Sequence, residues 1–184
     1  TNPVTIKIKA EELTVNKIDQ YFIKLKETDK EETLRRLLEI NQPRLAIIFC
    51  NTKRKVDRLV ESLSNKAYLV DGLHGDLKQS QRDVVMKKFR NNTIDILVAT
   101  DVAARGLDVD DVDMVINYDL PQLDEYYVHR IGRTARAGRS GLSYSLISGR
   151  DNDRLKAIEK YTKATIKQAQ IPSLVQIDRN QEIA

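Results

Sequence analysis

Four arginines and a histidine fall within eleven residues, from His129 through Arg130, Arg133 and Arg136 to Arg139. Like charges held this close repel one another, so such a cluster usually faces an anion. Guanidinium groups form bidentate, permanently charged contacts to phosphate oxygens. An arginine aimed at a γ-phosphate stabilises the charge that spreads over it during phosphoryl transfer, by about 10³–10⁵ in rate, or ~4–7 kcal/mol. Read as a helix, His129, Arg133 and Arg136 stand at i, i+4 and i+7 and share one face. Val128, Ile131 and Ala135 lie on another, which would dock on a sheet and leave the guanidinium groups presented together. The competing reading is a solvated basic face paired with nearby Asp and Glu.

A second run, Ala99-Thr100-Asp101-Val102-Ala103-Ala104-Arg105-Gly106-Leu107-Asp108, follows an apolar stretch. Its small residues permit close backbone approach. Thr100 can donate to a phosphate, Gly106 leaves room for a backbone contact, and Asp108 can take a ribose hydroxyl as acidic residues do in nucleotide-binding folds. A tight crossover with capping Asp residues is the plainer alternative. The string Asp108, Asp110, Asp111, Asp113 does not make a calcium loop, because Asp113 and Asp119 stand where Gly and Glu are required. Gly75-Asp76 opens a helix carrying Gln79, Gln81 and Arg82, whose free N–H groups suit phosphate. Asp76 with Gln79 resembles a capping box. Asn51-Thr52 opens another helix in the same way. A surface cap is the plainer reading of both. Two GxxG loops, Gly72 to Gly75 and Gly138 to Gly141, lack the strand order of a KH domain.

What the chain lacks narrows the chemistry further. It has no Gly-x-x-x-x-Gly-Lys-Ser/Thr phosphate cradle and no Asp-Glu pair after a strand to hold Mg²⁺. An activating arginine without its own nucleotide site acts on a site completed elsewhere. This pattern suits one half of a two-lobed ATPase.

These residues need elements to hold them. Ile18–Leu25 reads as a strand, Thr33–Ile40 as a helix, and Leu45–Cys50 as a strand covered on both faces. Val56, Leu59, Val60 and Leu63 have helical spacing. A short strand is predicted around Ala67–Val70, then a helix with Val84, Val85, Met86 and Phe89 on its apolar side. Strands at Ile94–Ala99 and Met114–Tyr118 follow, a helix over about Gln122–Thr134, a strand at Leu142–Ile147 and a helix at Asn152–Tyr161. The tail after about Ile166 is expected to pack partly or to lead into a linker. Alternating strands and helices predict one α/β domain with a mostly parallel sheet and helices on both faces. In such sheets ligands lie beyond the carboxyl ends of the strands. Asn51-Thr52, His74-Gly75-Asp76, Thr100-Asp101 and Asp119 all follow predicted strands.

Composition agrees with a globular domain. The chain has 184 residues, a net charge of +4 and 32% charged residues. A chain of this size buries roughly 70% of its unfolded surface. The charge permits nucleic-acid binding without demonstrating it. No apolar run approaches the ~18 residues of a membrane span. The lone Cys50, inside an apolar run, excludes a disulfide framework and is expected to be buried and inert, as in a reducing cytoplasm. The start at Thr1, without Met, leads to the expectation that the chain is cut from something longer.

In order along the chain, these motifs resemble the C-terminal RecA-like half of DEAD-box, ATP-dependent RNA helicases. Phe49-Cys50-Asn51-Thr52-Lys53 resembles motif IV, and His74-Gly75-Asp76 with Gln79-Ser80-Gln81-Arg82 resembles motif IVa. Thr100 to Asp108 resembles motif V, Val115 to Pro121 the segment after it, and His129 to Arg136 motif VI. The resemblance runs from about residue 14 to 165. It implies that Arg133 and Arg136 are arginine fingers on the ATP γ-phosphate, and that Asp108 holds the ribose. Arg105, His129 and Arg130 would couple the ATP site to the other lobe. Thr52, Gly75, Arg82, Thr100 and Gly106 would contact the RNA sugar-phosphate backbone, independently of base sequence. An N-terminal RecA-like lobe in cis would supply the P-loop and hold Mg²⁺ with ATP. This domain alone would then be inactive. Ala135 stands where the family usually has Gly; within a helix Ala is favoured by about 1 kcal/mol, which predicts a stiffer turn before Arg136. A binding module without catalysis and a DNA helicase of the same superfamily are the rival readings. Helix-unwinding DNA relatives usually carry a Gln-rich motif VI, so His129-Arg130 favours RNA.

Overall fold

The structure, a computed structural model, describes residues 17–105, 109–135 and 139–175. Its centre is a seven-stranded sheet of β1 (Ile18–Lys24), β2 (Ala46–Phe49), β3 (Val70–Leu73), β4 (Ile96–Ala99), β5 (Met114–Asn117), β6 (Gly141–Ile147) and β7 (Lys167–Gln168). They stand in the order β3-β4-β2-β5-β6-β1-β7, and every pairing is parallel. The helices are α1 (Lys30–Asn41), α2 (Lys53–Asn65), α3 (Gln79–Arg90), α4 (Asp101–Ala104), α5 (Asp124–Ile131) and α6 (Asn152–Thr162).

Successive strand residues point to opposite faces, and both faces are apolar. Along β2, Ile47 and Phe49 join one core with Met86 and Phe89 of α3, Tyr127 and Ile131 of α5, and Leu155 and Ile158 of α6. Ala46, Ile48 and the following Cys50 join the other, with Leu34, Leu37 and Leu38 of α1 and Val56, Leu59 and Leu63 of α2. Parallel strands need crossovers, and these place helices on both sides. Glycine is required where α2 crosses β3: a Cβ on Gly72 would come within 2.9 Å of both Val56 and Val60.

Several boundaries differ from the sequence expectation, each for a local reason. The strand expected around Ala67 begins only at Val70. Lys66, Ala67 and Tyr68 instead donate backbone N–H groups to Leu63 and Ser64 carbonyls, and Ala67 takes φ 68°, so they close off α2. Val84 is 54% exposed and lies off the apolar side of α3. Asp76 and Gln79 do not form the capping box. The helix starts later, Gln81 takes the Lys78 N–H (2.9 Å), and Asp76 pairs with Lys53. The described part of the tail, 166–175, packs on the domain: Ile166 is buried, β7 adds to β1, and Arg36 of α1 reaches the Pro172 carbonyl at 2.8 Å. No described helix is long and apolar enough to cross a membrane.

Candidate functional site

Strand register brings the motif residues together. Leu73, Ala99, Phe49 and Asn117 are aligned partners across β3, β4, β2 and β5. The residues that follow them (His74-Gly75, Thr100-Asp101, Asn51-Thr52, Asp119) therefore form one row along the carboxyl edge of the sheet. At ~4.8 Å per strand the row spans about 14 Å.

Helix α5 runs up to this row. Its acidic first turn and basic last turn suit the helix dipole. Tyr127, Val128 and Ile131 pack into the core, and Arg130 lies on the same inward side, 1% exposed. The expected outward presentation of all the guanidinium groups therefore fails at Arg130. The pattern 127, 128, 130, 131 is itself the signal that places it inside. Arg130 Nε and Nη2 clamp the Asp101 carboxylate at 2.6 and 2.7 Å. Nη2 also donates to Asn51 Oδ1 at 2.8 Å. Nη1 donates to the Asp119 carbonyl at 2.6 Å and to Asn117 Oδ1 at 3.3 Å. All five guanidinium N–H groups are thus used, and the Phe49 ring lies 5.2 Å beneath. A charge withdrawn from water is tolerated only when it is satisfied in this way. The side chain ties the ends of β2, β4 and β5 into one unit.

Asp119 completes the knot. Its carboxylate takes the Asn51 N–H at 2.9 Å, Lys55 at 2.8 Å and the buried Lys30 at 3.4 Å. Burial alone would raise its pKa, but the Lys55 and Asn51 hydrogen bonds and the Lys30 charge outweigh that and hold it below the usual carboxylate range. Cys50 beside them is buried and free. Burial first, then the Asp119 charge, pushes its thiol up to about 12, leaving it unreactive.

The chain leaves the helix at Gly132, not at Thr134. Gly132 takes φ −65° and ψ −2° as the cap. Thr134 forms a parallel bridge to Val112. Its hydroxyl donates to the Val112 carbonyl at 2.5 Å, and Val112 N–H donates back to the Arg133 carbonyl at 3.1 Å. The helical face expected to carry His129 and Arg133 is therefore not formed. Arg133 projects from the turn and reaches the Ala104 carbonyl at 3.0 Å and Asp110 at 3.5 Å. Ala135 has φ 59°, so the stiffening expected from a helical Ala is replaced by strain. In this left-handed conformation Gly is the unstrained residue and Ala is not. Arg136, Gly106 and Asp108 lie outside the described residues.

Arg133 lines a pocket of ≈ 80 Å³ with Phe49, Asp101, Ala104, Arg105, Tyr126, His129 and Arg130. Arg105 is exposed; its guanidinium donates to the Tyr126 hydroxyl at 2.9 Å and lies 5.4 Å from that ring. His129 is exposed at the rim. Arginines from two loops thus converge on one concavity, a donor set suited to a phosphate. Among the described residues, no group of three His, Cys, Asp or Glu is placed to hold a metal ion.

The remaining motif residues lie along the same row. Thr52 is exposed and caps α2, its hydroxyl accepting from Lys55 N–H at 3.2 Å. Gly75 is exposed, with open space where a Cβ would stand. Thr100 stands just before α4 without a side-chain capping bond, and its N–H donates to the Leu73 carbonyl at 3.2 Å. Arg82 is half-buried and donates to the Ala103 carbonyl at 2.7 Å, joining α3 to α4. Sequence reasoning passed over Tyr126 and the bridging amide of Asn51. Both depend on contacts between distant segments and carry no local signal.

Residues 29–138 match the helicase conserved C-terminal domain, which sets the class as a helicase C-terminal domain of RecA-like fold. The chain is 49% identical over 174 residues to the DEAD-box ATP-dependent RNA helicase CshA of Bacillus licheniformis, covering 95% of this chain and 36% of that protein. It superposes on the C-terminal domain of the DEAD-box protein Dbp5 with a TM-score of 0.81 and 33% identity, covering 92% of this chain and 99% of that one. Against S. cerevisiae Dbp5 bound to RNA and ADP BeF3 the TM-score is 0.81 and the identity 30%, over 100% of this chain and 53% of that one. The chain belongs to the DEAD-box helicase family, as its C-terminal RecA-like domain.

Proposed function

We propose that this domain is the C-terminal half of an ATP-dependent RNA helicase. In this reading it supplies arginine fingers to an ATP site shared with an N-terminal RecA-like lobe in cis, and part of an RNA backbone surface. The observation that carries it is the pocket beyond β2 and β4, where Arg133 and Arg105 converge from separate loops. ATP bound between the lobes supplies the phosphoryl group, with Mg²⁺ held by the N-terminal lobe. Arg133 neutralises charge on the γ-phosphate, and Arg136 does the same from the segment after Ala135. Asp108 takes the ribose. Arg105 and His129, at the rim, meet the other lobe. Arg130 couples by a different route: it holds the motif IV, V and VI loops as one body, so a push on one moves all three. Thr52, Gly75, Arg82, Thr100 and Gly106 form the RNA track, with Arg82 also bracing motif V. Contacts to phosphate and sugar carry no base information and weaken with salt. A relative bound to RNA and ADP BeF3 supports this reading, as does the inert Cys50 for a reducing cytoplasm.

The test is RNA-stimulated ATPase of the full-length protein. Arg133→Ala is expected to lower turnover by about 10³-fold or more, and near-normal turnover would end the finger assignment. Gly75→Asp places its Cβ in open space. It is expected to weaken single-stranded RNA binding without unfolding the domain.

A further inference from the structure

One buried titratable side chain at the row has no part in that scheme. His74 is 6% exposed and stands between the end of β3 and Gly75. Its two ring nitrogens face different elements. Nε2 is 2.8 Å from Asp57 Oδ1 on α2, and Nδ1 is 3.2 Å from the backbone nitrogen of Asp76. A backbone N–H only donates, so Nδ1 accepts and is unprotonated. Nε2 then carries the proton and donates to Asp57. A single neutral tautomer satisfies both contacts.

A second tie follows the same path. Lys53, the first residue of α2, pairs with the Asp76 carboxylate at 2.7 Å and, through that hydrogen bond and its charge, holds the Asp76 carboxyl below its usual range. Both side chains are about 60% exposed, so water screens this pair. In the histidine bridge the ring is buried, while the Asp57 carboxylate is 69% exposed. The loop after β3 is thus laced to the first half of α2 twice, through the backbone and the side chain of Asp76. Thr52 caps that helix, and Gly75 belongs to that loop.

We propose that His74 is a positioning residue for RNA: in its neutral tautomer it locks the Gly75-Asp76 turn to α2, so that the RNA-contacting loops after β2 and β3 present one rigid surface. This rests on the reading of Thr52 and Gly75 as RNA contacts. His74 acts through the turn and not by touching RNA. The charged groups around it are Asp57 from α2, and Asp76 with Lys53 behind it. Asp71, earlier on β3, is turned to the Gly72 N–H and to Lys88.

Two substitutions separate the two nitrogens. His74→Asn puts an oxygen where Nδ1 stands and keeps the acceptor. His74→Gln puts an amide near the Nε2 position, keeps a donor to Asp57 and lacks the acceptor. The measurement is the Kd of the full-length protein for a labelled single-stranded oligouridine with ADP–beryllium fluoride, beside thermal midpoints. His74→Gln is expected to raise Kd about fivefold, the factor one hydrogen bond supplies. His74→Asn keeps the turn acceptor but loses the tie to Asp57 on α2, so it is expected to raise Kd by a similar factor. A wild-type Kd in either variant, or a loss of binding that only follows a lowered thermal midpoint, would overturn the proposal. Gly75→Asp, run alongside, separates the layers. If it weakens binding while His74→Gln does not, the RNA track stands and the positioning role falls. If it leaves binding unchanged, the RNA track itself falls.

Discussion

Arg130 and Arg133 are three residues apart in one motif, and they occupy opposite physical regimes. At the end of α5, Arg130 is 1% exposed with every N–H bonded inside the domain. In the turn that follows, the Arg133 side chain is 17% exposed and opens on a pocket, and its carboxylate partner Asp110 stands at 3.5 Å. A saturated, shielded guanidinium holds structure; one with a long carboxylate contact at a pocket can exchange its partner for a phosphate. The difference comes from Gly132 and Thr134, which end the helix between the two arginines and turn the second outward. A motif that reads as one basic run is therefore a buried brace followed by an arginine that lines a pocket.

The contrast can be broken most directly at Arg133. Arg133→Ala should cost less than about 1 kcal/mol in urea-induced unfolding of this domain, since its ion pair with Asp110 is long and partly exposed, while removing the about 10³-fold or more of turnover proposed above. A large stability loss would make Arg133 a second brace. Arg130→Ala should do the reverse, destabilising the same domain by ~3–5 kcal/mol because Asp101 and Asn51 lose their buried partner. Arg130→Lys should recover only part of that, as a single ammonium does not replace the fork. Unfolding within about 1 kcal/mol of wild type for Arg130→Ala would refute the brace.

A smaller effect should appear with pH. Asp119 has its pKa depressed in the folded chain. Its contribution is therefore complete above the unfolded value of about 3.9 and is lost as pH falls through the folded one. Asp119→Asn should destabilise the domain by about 2 kcal/mol at neutral pH. It should also flatten the acid limb of a stability–pH curve, and an unchanged limb would remove Asp119 from the knot. The smallest effect is expected at Ala135. Ala135→Gly relieves a φ of 59° and should raise stability by up to about 1 kcal/mol. A loss of that size would mean that the Ala135 methyl, packed where Gly141 has no side chain, matters more than the strain.

The fold was legible because its signals are local and repeated. Continuous apolar strands at Ala46–Phe49 and Ile96–Ala99, helical spacing at Val56 to Leu63, and their alternation lead to a parallel sheet covered on both faces. The placing of Asn51, Gly75 and Thr100 just after strands was legible for the same reason. Boundaries governed by caps were not. Ala67 and Ala135 take left-handed backbone that neither their residue type nor the hydrophobic pattern announces.

By itself, then, the sequence determined the element order, the two-sided core and the list of residues that meet at the carboxyl edge, because hydrophobic period and chain topology decide those. Only the tertiary structure decided what each does there. Whether a guanidinium is a brace or is open to a phosphate depends on the partners that distant segments bring: Asp101, Asn51 and the Asp119 carbonyl for Arg130, a pocket and a 3.5 Å carboxylate for Arg133. Those partners are up to 79 residues away in the chain. Desolvation and hydrogen-bond saturation are properties of the assembled site, so no local pattern of residue types encodes them.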